Sequence, residues 1–265
     1  MAKIISIDSL NNYLENIQKS FPNMGPGHWV VFRGHRDIAW KLLPSVAREP
    51  YNGKNRQEKD LLRMFNHYCA SFMHSWISQG NSKQVSWQRM ILAQHHGLPT
   101  RFLDWSSNPL VALFFAVEGY SEICKEKVGK CNFCDGGKPH DSIVYAFAKR
   151  DWSFTIYALS KSEENKEAPD YGHEKDPGLL QPPHISPRIG AQCSMFTISS
   201  DPMKEIEYDL ALRIPFKKRG KLLADLDLLG INRNTLFPGL DGAASYLKWA
   251  VATWPEPSNQ PRRSD

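Results

Sequence analysis

The chain has 265 residues, of which 41% are hydrophobic and 23% are charged. These fractions are ordinary for a globular protein and exclude a disordered, collagen-like or coiled-coil chain. The net charge of +5 suits an anionic partner such as a nucleotide or a nucleic acid. The longest apolar run, residues 110–117, is far below the ~20 residues of a membrane helix, and the first residues turn polar too early for a signal peptide. We therefore expect a soluble cytoplasmic protein without a membrane partner.

The first part of the chain predicts three helices and one buried strand. Apolar residues at helical spacing indicate helices over residues 9–21 and 57–78, and a third that follows Ser86 and stops at Gly97. Residues 28–33 are short, β-branched and aromatic, which predicts a strand that ends in Arg33.

A central helix is predicted to follow Asn108. Asn108 can cap the helix, and Pro109 fits the first turn because it lacks a donor that the turn does not need. The helix extends to about Glu118 and is apolar nearly all round, so we expect it in the middle of the fold.

The second part of the chain mixes strands and helices. Residues 119–141 are rich in Lys, Gly and Cys and are expected to form an insertion, and residues 160–187 a long exposed loop. The remaining patterns predict strands over 142–148, 196–198 and 206–214 and helices over 217–229 and 240–252.

The order of these elements sets the fold class. Helices and strands are interspersed without a regular βαβ alternation, and neither GxGxxG nor GxxxxGK[ST] occurs. We predict an α+β fold in which one domain, residues 1–254, has a mixed sheet with surrounding helices. Residues 255–265 form a polar tail.

Arg33 stands at the end of the first predicted inner strand. A buried guanidinium requires partners for its five donors, and its planar fork suits a carboxylate or a phosphate. Arg33 is therefore either an anion-binding residue or half of a structural ion pair with an internal acid such as Asp104.

Residues 94–107 concentrate polar side chains in an expected turn between two apolar helices, a common place for a functional site. His95 and His96 are neighbours that point about 100° apart on a helix, so we do not expect both to bind one metal ion. The candidate site residues here are His95, Arg101, Asp104, Ser106 and Ser107.

A structural interpretation of the same residues stays open. Gln94 and His95 would bond backbone groups at the helix end, and Asp104 would pair with Arg101 or Arg33. Gln192, which enters a later strand, is a further candidate that would either bond a ligand or tie down a loop.

Five blocks of the chain resemble the FRG domain family, named for its Phe-Arg-Gly signature. They occur in the family's order within a resemblance that extends from about residue 4 to residue 250, and the Gly-Leu-Pro-Thr-Arg-x-Leu-Asp-Trp core is the most specific part. The chain departs from the family pattern at Cys193-Ser194 and in its cysteine-bearing insertion. The blocks are Phe32–Gly34, Trp40–Arg48, Ala93–Glu118, Arg188–Thr197 and Ile214–Gly242. The resemblance implies a bacterial protein in a phage-defence, toxin or mobile-element setting.

The motif order is also similar to that of ADP-ribosyltransferases. The resemblance implies that Arg33 grips the pyrophosphate of NAD, that Ser106 or Ser107 orders the nicotinamide ribose, and that NAD is a substrate. It also implies an ADP-ribosyltransferase-like fold.

One element of the ADP-ribosyltransferase pattern is missing. That pattern requires a Glu, whereas this chain offers Gln192 with no acid two residues later, and a Gln cannot neutralise a developing positive charge. Asp241 or Glu207 would have to supply the carboxylate. The predicted catalytic residues are Arg33, Gln192, Asp104 and His95, and the predicted cofactor-binding residues are Arg33, Arg101, Ser106 and Ser107.

The insertion carries four potential zinc ligands, Cys124, Cys131, Cys134 and His140. The CxxC pair is typical of a zinc knuckle, and a closed Cys3His set would stabilise a segment with almost no apolar core. We predict a structural zinc ion there, in preference to redox or catalytic chemistry.

Two functions follow from the sequence. The first is an effector that acts on a nucleotide-type ligand, as an NAD-dependent ADP-ribosyltransferase or NAD glycohydrolase. The alternative is a non-catalytic module that binds or senses a ligand or nucleic acid, for which residues 217–221 are the one local basic run.

Overall fold

The computed structural model describes residues 4–23, 29–51, 55–72, 82–119, 140–149 and 177–253. Seven strands run through these residues: β1 (Ile4–Ser6), β2 (Trp29–His35), β3 (Phe102–Ser106), β4 (Ser142–Lys149), β5 (Gly178–Leu180), β6 (Ser194–Ile198) and β7 (Leu210–Ile214). They form one sheet in the order β1-β7-β4-β2-β3-β6-β5. Strands β1 and β7 are parallel, and every other pair is antiparallel.

Eight α-helices accompany the sheet in the described part of the chain. They are α1 (Leu10–Ser20), α2 (Asn55–Tyr68), α3 (Ser82–His95), α4 (Pro109–Val117), α5 (Pro187–Ala191), α6 (Arg219–Leu228), α7 (Arg233–Leu236) and α8 (Leu240–Thr253). The predicted α+β class with a mixed sheet is confirmed. No helix among the described residues is long and apolar enough to cross a membrane.

Two separate apolar clusters cover one face of the sheet. The first surrounds α4, which packs on Phe32 of β2 and Val144 of β4 and is flanked by α1 and α6. The second packs Trp87 and Ile91 of α3 on Phe102 of β3 and on β6. A third cluster, which includes Val31 and Trp105, covers the opposite face.

The two halves of the sheet meet at a single pair of residues. Strand β2 pairs with β4 along its whole length, but it pairs with β3 only between Phe32 and Ser106. An opening therefore begins beside Arg33, between the half of the sheet that carries α4 and the half that carries α3.

Most predicted helices agree with the structure to within a few residues. Asn108 caps α4 as predicted, accepting a hydrogen bond from the Leu110 N–H at 2.9 Å, and Gly97 has the left-handed φ of +83° expected after α3. The second predicted helix is shorter than expected, because α2 ends at Tyr68 and is followed by a 3-10 turn over Ala70–Phe72.

The sequence reasoning missed three strands and two short helices. β1, β5, α5 and α7 have three to five residues each, too few to show a period. β3 was not predicted because residues 94–107 were interpreted as a turn between two helices. The strand predicted over 206–214 begins only at Leu210. Most of the predicted insertion, most of the predicted 160–187 loop and the predicted tail lie outside the described residues.

Candidate functional site

A cavity of about 540 Å³ lies at the opening between β2 and β3. Its walls come from β2, the end of α3, β3, α4 and the segment around α5. The charged residues of its lining are Arg33, Arg36, Asp104, Glu118 and Arg188, and the aromatic residues are Phe32, Trp40, Trp105, Phe115 and Phe196. Three arginines and two acids give the wall a net positive charge.

Gly34 allows α4 to lie directly against β2. A Cβ atom at this position would overlap the carbonyl oxygen of Ala112 and lie 2.6 Å from the backbone nitrogen of Ala116. Because both obstacles are backbone atoms, no side-chain rotation could make room. The glycine of the Phe-Arg-Gly tripeptide therefore sets the distance between the strand and the helix that form two walls of the cavity.

Arg33 is the arginine at the centre of the opening. Its side chain is 17% exposed, and its Nη1 donates to the backbone carbonyl of Asp104 at 2.5 Å. The nearest carboxylate oxygen, Oδ2 of Asp104, is 3.9 Å from Nη1, so the ion pair is loose. Burial lowers the pKa of Arg33 to about 10, which leaves the guanidinium charged at neutral pH.

His35 holds the other side of this guanidinium. Its Nε2 accepts from the Arg33 Nε at 2.9 Å, and its Nδ1 lies 3.2 Å from the carbonyl oxygen of Trp40. Since Nε2 accepts, Nδ1 carries the proton and donates a hydrogen bond to the carbonyl oxygen of Trp40. The imidazole is neutral because burial, followed by the charge of Arg33, lowers the pKa of His35 to about 3.

The Asp104 carboxylate is held by a chain of hydrogen-bonded side chains and not by a close contact with an arginine. The Gln94 amide donates to both carboxylate oxygens of Asp104 at 2.9 Å. The carbonyl oxygen of the same amide accepts from the Thr100 hydroxyl at 2.7 Å, and that hydroxyl accepts from the backbone N–H of Phe102 at 3.1 Å. The carboxylate remains half-exposed and faces the cavity.

The structural interpretation of this stretch is therefore partly wrong. It is wrong for Gln94, which bonds side chains instead of backbone groups. Of the two partners considered for Asp104, the structure confirms Arg33, although the ion pair is loose, and not Arg101.

His95 and His96 both line the cavity at the end of α3. Their rings contact edge to face, with centroids 5.2 Å apart. Burial and the neighbouring His96 lower the pKa of His95, so His95 is a neutral group near Asp104.

Ser106 and Gln192 join β3 to the segment after α5. The Ser106 hydroxyl donates to the backbone carbonyl of Gln192 at 2.7 Å and accepts from the Asn108 N–H at 3.0 Å. The Gln192 side-chain amide donates to the carbonyl oxygen of Leu236 at 3.0 Å. Ser106 and Gln192 lie in the cavity wall. Ser107 is exposed, and its hydroxyl makes one long hydrogen bond of 3.4 Å to the carbonyl oxygen of Cys193.

Glu118 is a residue of the site that the sequence reasoning did not select. It follows α4, lines the cavity, and its Oε2 accepts from Arg233 Nη1 at 2.8 Å. Burial raises the pKa of Glu118, although Arg233 and Arg36 oppose the rise. Asp241 and Glu207, the two acids considered as substitutes for Gln192, are exposed and lie outside the cavity lining. A signal was present in the sequence, because Glu118 is the first charged residue after an apolar helix.

Phe237 contacts two residues of the cavity wall, Arg188 and Phe115. The guanidinium of Arg188 lies 4.8 Å from the Phe237 ring centre, and that of Arg233 lies 4.5 Å from it. Phe237 also meets Phe115 edge to face at 6.0 Å. The stacking orients Arg188 toward the cavity and Arg233 toward Glu118.

Arg101 lies away from the cavity, in the core. Its Nε and Nη2 donate to Oε2 of Glu58 at 2.9 and 2.7 Å, and its backbone N–H donates to Oε1 at 2.8 Å. The two side chains are only 3% and 1% exposed. This geometry gives Arg101 a structural partner and no access to a ligand in the cavity.

The predicted zinc ligands are only partly described. Cys124, Cys131 and Cys134 lie outside the described residues, and His140 has its Nδ1 3.8 Å from Oδ2 of Asp37. Among the described residues no three His, Cys, Asp or Glu side chains are grouped to hold a metal ion. The zinc site stays a prediction.

The basic run over 217–221 is less available than its sequence indicates. Arg219 is buried and donates to the Glu118 carbonyl at 3.1 Å, and Lys221 pairs with Asp225 at 2.7 Å. Lys217 and Lys218 are exposed. The run gives a nucleic-acid-binding surface little support.

The chain contains an FRG domain. The model of this family matches residues 28–123, which include the Phe-Arg-Gly tripeptide of β2, the end of α3, β3 and α4. No curated protein and no solved structure matches the chain. The matched segment contributes Arg33, His95, Asp104 and Glu118 to the cavity, and the later part of the chain contributes Arg188 and Gln192.

Proposed function

We propose that the cavity binds a nucleotide-type ligand through its phosphates, with Arg33 as the anchor, and that the ligand is NAD. The observation that carries the proposal is the state of the Arg33 guanidinium. It is largely buried and charged, only two of its five N–H groups have close partners among the described residues, and the nearest carboxylate is 3.9 Å away. A buried cation with unused donors at a cavity wall favours an anion that can take several hydrogen bonds.

The surroundings of Arg33 fit a ligand with phosphates and rings. Arg36 and Arg188 line the same cavity and can meet a second phosphate. Trp40 and Phe115 offer aromatic surface, and the volume lies in the range of ~300–1,000 Å³ common for small-molecule sites. In a ligand that has a pyrophosphate with a heterocycle at each end, the phosphates can meet the arginines and the heterocycles can meet the aromatic side chains.

The reaction that fits these groups is cleavage of the N-glycosidic bond of NAD. The bond from the ribose C1′ to the nicotinamide nitrogen breaks, nicotinamide leaves with the bonding electron pair, and a water or macromolecular nucleophile adds to C1′ and loses a proton. A carboxylate stabilises the cationic sugar in the transition state. Asp104 and Glu118 are the acids of the cavity, and Gln192 lacks the charge for this task.

Direct binding tests the first part of the proposal. Isothermal titration calorimetry with ADP-ribose and with NAD is compared between wild type, R33Q and R188A. Because Arg33 is buried, R33Q also requires a thermal melt, whereas Arg188 is exposed and R188A is expected to fold normally. The matched control is R63A, which removes an arginine that is 81% exposed on α2. We expect at least a tenfold loss of affinity for R188A and wild-type affinity for R63A. The proposal that the cavity binds NAD would be overturned if wild type did not bind, or if R188A and folded R33Q bound as tightly as wild type.

Nicotinamide release separates an enzyme from a binding module. Wild type, E118Q and D104N are incubated with NAD and cell extract, and free nicotinamide and labelled macromolecules are measured. Release by wild type and its loss in one of the two variants supports catalysis by that carboxylate. Binding without release supports the alternative, a sensing module in which the same residues hold the ligand.

The FRG family resemblance motivates the proposed biological setting, phage defence or toxin activity in bacteria. If the protein consumes NAD in cells, its expression in a bacterial host lowers the NAD pool and slows growth, and R188A relieves both effects. Unchanged NAD and growth with folded wild type would argue against this role.

The proposed structural zinc has a test of its own. Cys124, Cys131, Cys134 and His140 offer the thiolate and imidazole donors that zinc prefers. Metal analysis of protein purified without a metal-affinity tag should find one zinc per chain, and C131S/C134S should lose it. Absence of zinc from the wild type would overturn the prediction.

A further inference from the structure

The outer face of α8 carries an exposed apolar stripe. Leu240, Leu247 and Val251 are 89%, 55% and 64% exposed, and the small Ala244 between them is also exposed. The four residues are spaced four, three and four apart, which is the spacing of the seam of a two-helix coiled coil.

This stripe is not the face by which α8 packs on its own chain. The inward face holds Gly242, where a Cβ would overlap the Phe237 carbonyl oxygen, and Ala250, which is 2% exposed. Helix α8 therefore has one apolar face that is used within the fold and a second that is open.

Two opposite charges flank the open stripe. Asp241 follows Leu240 and Lys248 follows Leu247, and both side chains are exposed. Neither forms an ion pair with another residue in the described part of the chain. On a helical wheel they lie on the same side of the stripe, one near each end.

We propose that the open stripe of α8 is a dimer interface that binds α8 of a second copy of this chain in antiparallel orientation. This inference goes beyond the nucleotide-binding proposal and does not rest on it. In the antiparallel pair, Leu240 meets Val251 of the second copy, and Ala244 meets its Leu247. Each apolar residue thus has a counterpart across the two-fold axis.

The flanking charges select this orientation. When the stripes are antiparallel, Asp241 lies opposite Lys248 of the second copy, and Lys248 opposite its Asp241, which gives two symmetric ion pairs. When the stripes are parallel, the equivalent positions across the interface are occupied by Ala243 and Ala250, and no charge pairs form.

The neighbouring surface enlarges the patch. Leu228 and Leu229 at the end of α6 are 87% and 54% exposed, and the adjacent Asp227 lies near the side chain of Tyr246 of α8. The 14 residues of α8 span only about 21 Å, so the helix pair alone is small. We expect a dimer that dissociates on dilution rather than a permanent one.

Sedimentation of the full-length protein over a wide concentration series tests the interface. Wild type should shift from monomer to dimer as concentration rises, and L247K should stay a monomer because its charge enters the middle of the seam. The matched control is M64K, which places the same charge on a 50% exposed methionine of α2 and should dimerise like wild type. A monomeric wild type at every concentration, including one whose stripe is covered by another part of the chain, would overturn the proposal, and so would a dimeric L247K.

A charge exchange tests the orientation. K248E sets two carboxylates opposite each other and should weaken the dimer severalfold, as D241K should with two ammonium groups. The double variant D241K/K248E restores opposite charges and should recover most of the wild-type affinity. Single variants that dimerise like wild type, or a double variant weaker than both, would exclude the antiparallel pairing. Thermal melts of all three confirm that α8 remains folded.

Discussion

The Nε of Arg33 donates to Nε2 of His35 across 2.9 Å, so a neutral histidine supports the arginine at the centre of the cavity. The arrangement requires that His35 never be protonated in the folded protein, because an imidazolium would lose its acceptor and face a like charge. Burial, the charge of Arg33 and the more distant Arg48 all act in that direction and lower the pKa of His35 to about 3.

This relationship predicts how stability depends on pH. In the unfolded chain His35 titrates near 6.5, so between that pH and about 3 the unfolded state binds a proton that the folded state does not. The contribution of His35 is fully present above about pH 6.5 and decreases as pH falls, by about 1.4 kcal/mol per pH unit. From about pH 7 to about pH 5 wild type should lose about 2 kcal/mol more than H35Q, in which the amide can replace both hydrogen bonds without titrating.

Urea denaturation at the two pH values measures this difference. H67Q is the matched control, since His67 is exposed on α2, and it should keep the wild-type dependence. An equal pH dependence in wild type and H35Q would mean that His35 accepts a proton in the folded state.

The sequence identified the cavity residues better than the elements that carry them. Arg33, His95, Asp104 and Gln192 do line one cavity. They could be selected from the sequence because a polar residue within an apolar pattern indicates a buried polar group that needs a partner. Strand β3, which carries Asp104, was not recognised, since it has only five residues, shows no alternation of buried and exposed side chains, and lies inside a polar stretch.

Long-range partners explain the remaining differences. Glu58 and Arg101 are 43 positions apart, and Glu118 and Arg233 are 115 apart. Helical spacing and strand alternation describe neighbours within one element and contain no information on such pairs. Arg101 therefore resembled a ligand-binding residue in the sequence, although its charge is compensated in the core.

Replacement of Arg101 should affect stability and leave ligand affinity unchanged. R101M leaves the Glu58 carboxylate buried without its cation, and the loss of one partner of a buried pair typically costs ~3–5 kcal/mol. Urea denaturation should show this loss, with R63A close to wild type.

ADP-ribose affinity of the folded R101M protein provides the second measurement. It should equal that of wild type, because Arg101 is buried against Glu58 and outside the cavity lining. A stable R101M with tenfold weaker binding would assign Arg101 to the ligand after all.

Ser106 and Ser107 should differ although they are adjacent. S106A removes a hydroxyl that serves the buried Gln192 carbonyl and the Asn108 N–H, and a buried group without its partner costs ~1–3 kcal/mol. S107A removes an exposed hydroxyl with one long bond and should change stability by less than ~0.5 kcal/mol. Thermal melts measure both, and a loss of ligand affinity in S107A without a loss of stability would place that hydroxyl on the ligand. Equal destabilisation by the two variants would contradict the assignment.

Gly34 should tolerate no larger residue, because the space it leaves is filled by the backbone of α4. In G34A the added methyl group meets the Ala112 carbonyl oxygen and the Ala116 nitrogen, and forcing an extra carbon into a packed core costs ~1–3 kcal/mol or more. The helix can yield only by moving away from β2, which would also move Glu118 relative to Arg33, so G34A should lose both stability and ADP-ribose affinity. G190A is the matched control in the same cavity region, since a Cβ there lies 3.6 Å from its nearest neighbour, the His184 ring, and thermal melts should place it within ~1 kcal/mol of wild type. A G34A protein with wild-type stability and affinity would show that α4 can shift freely. It would contradict the inference that Gly34 fixes the position of Glu118 relative to Arg33.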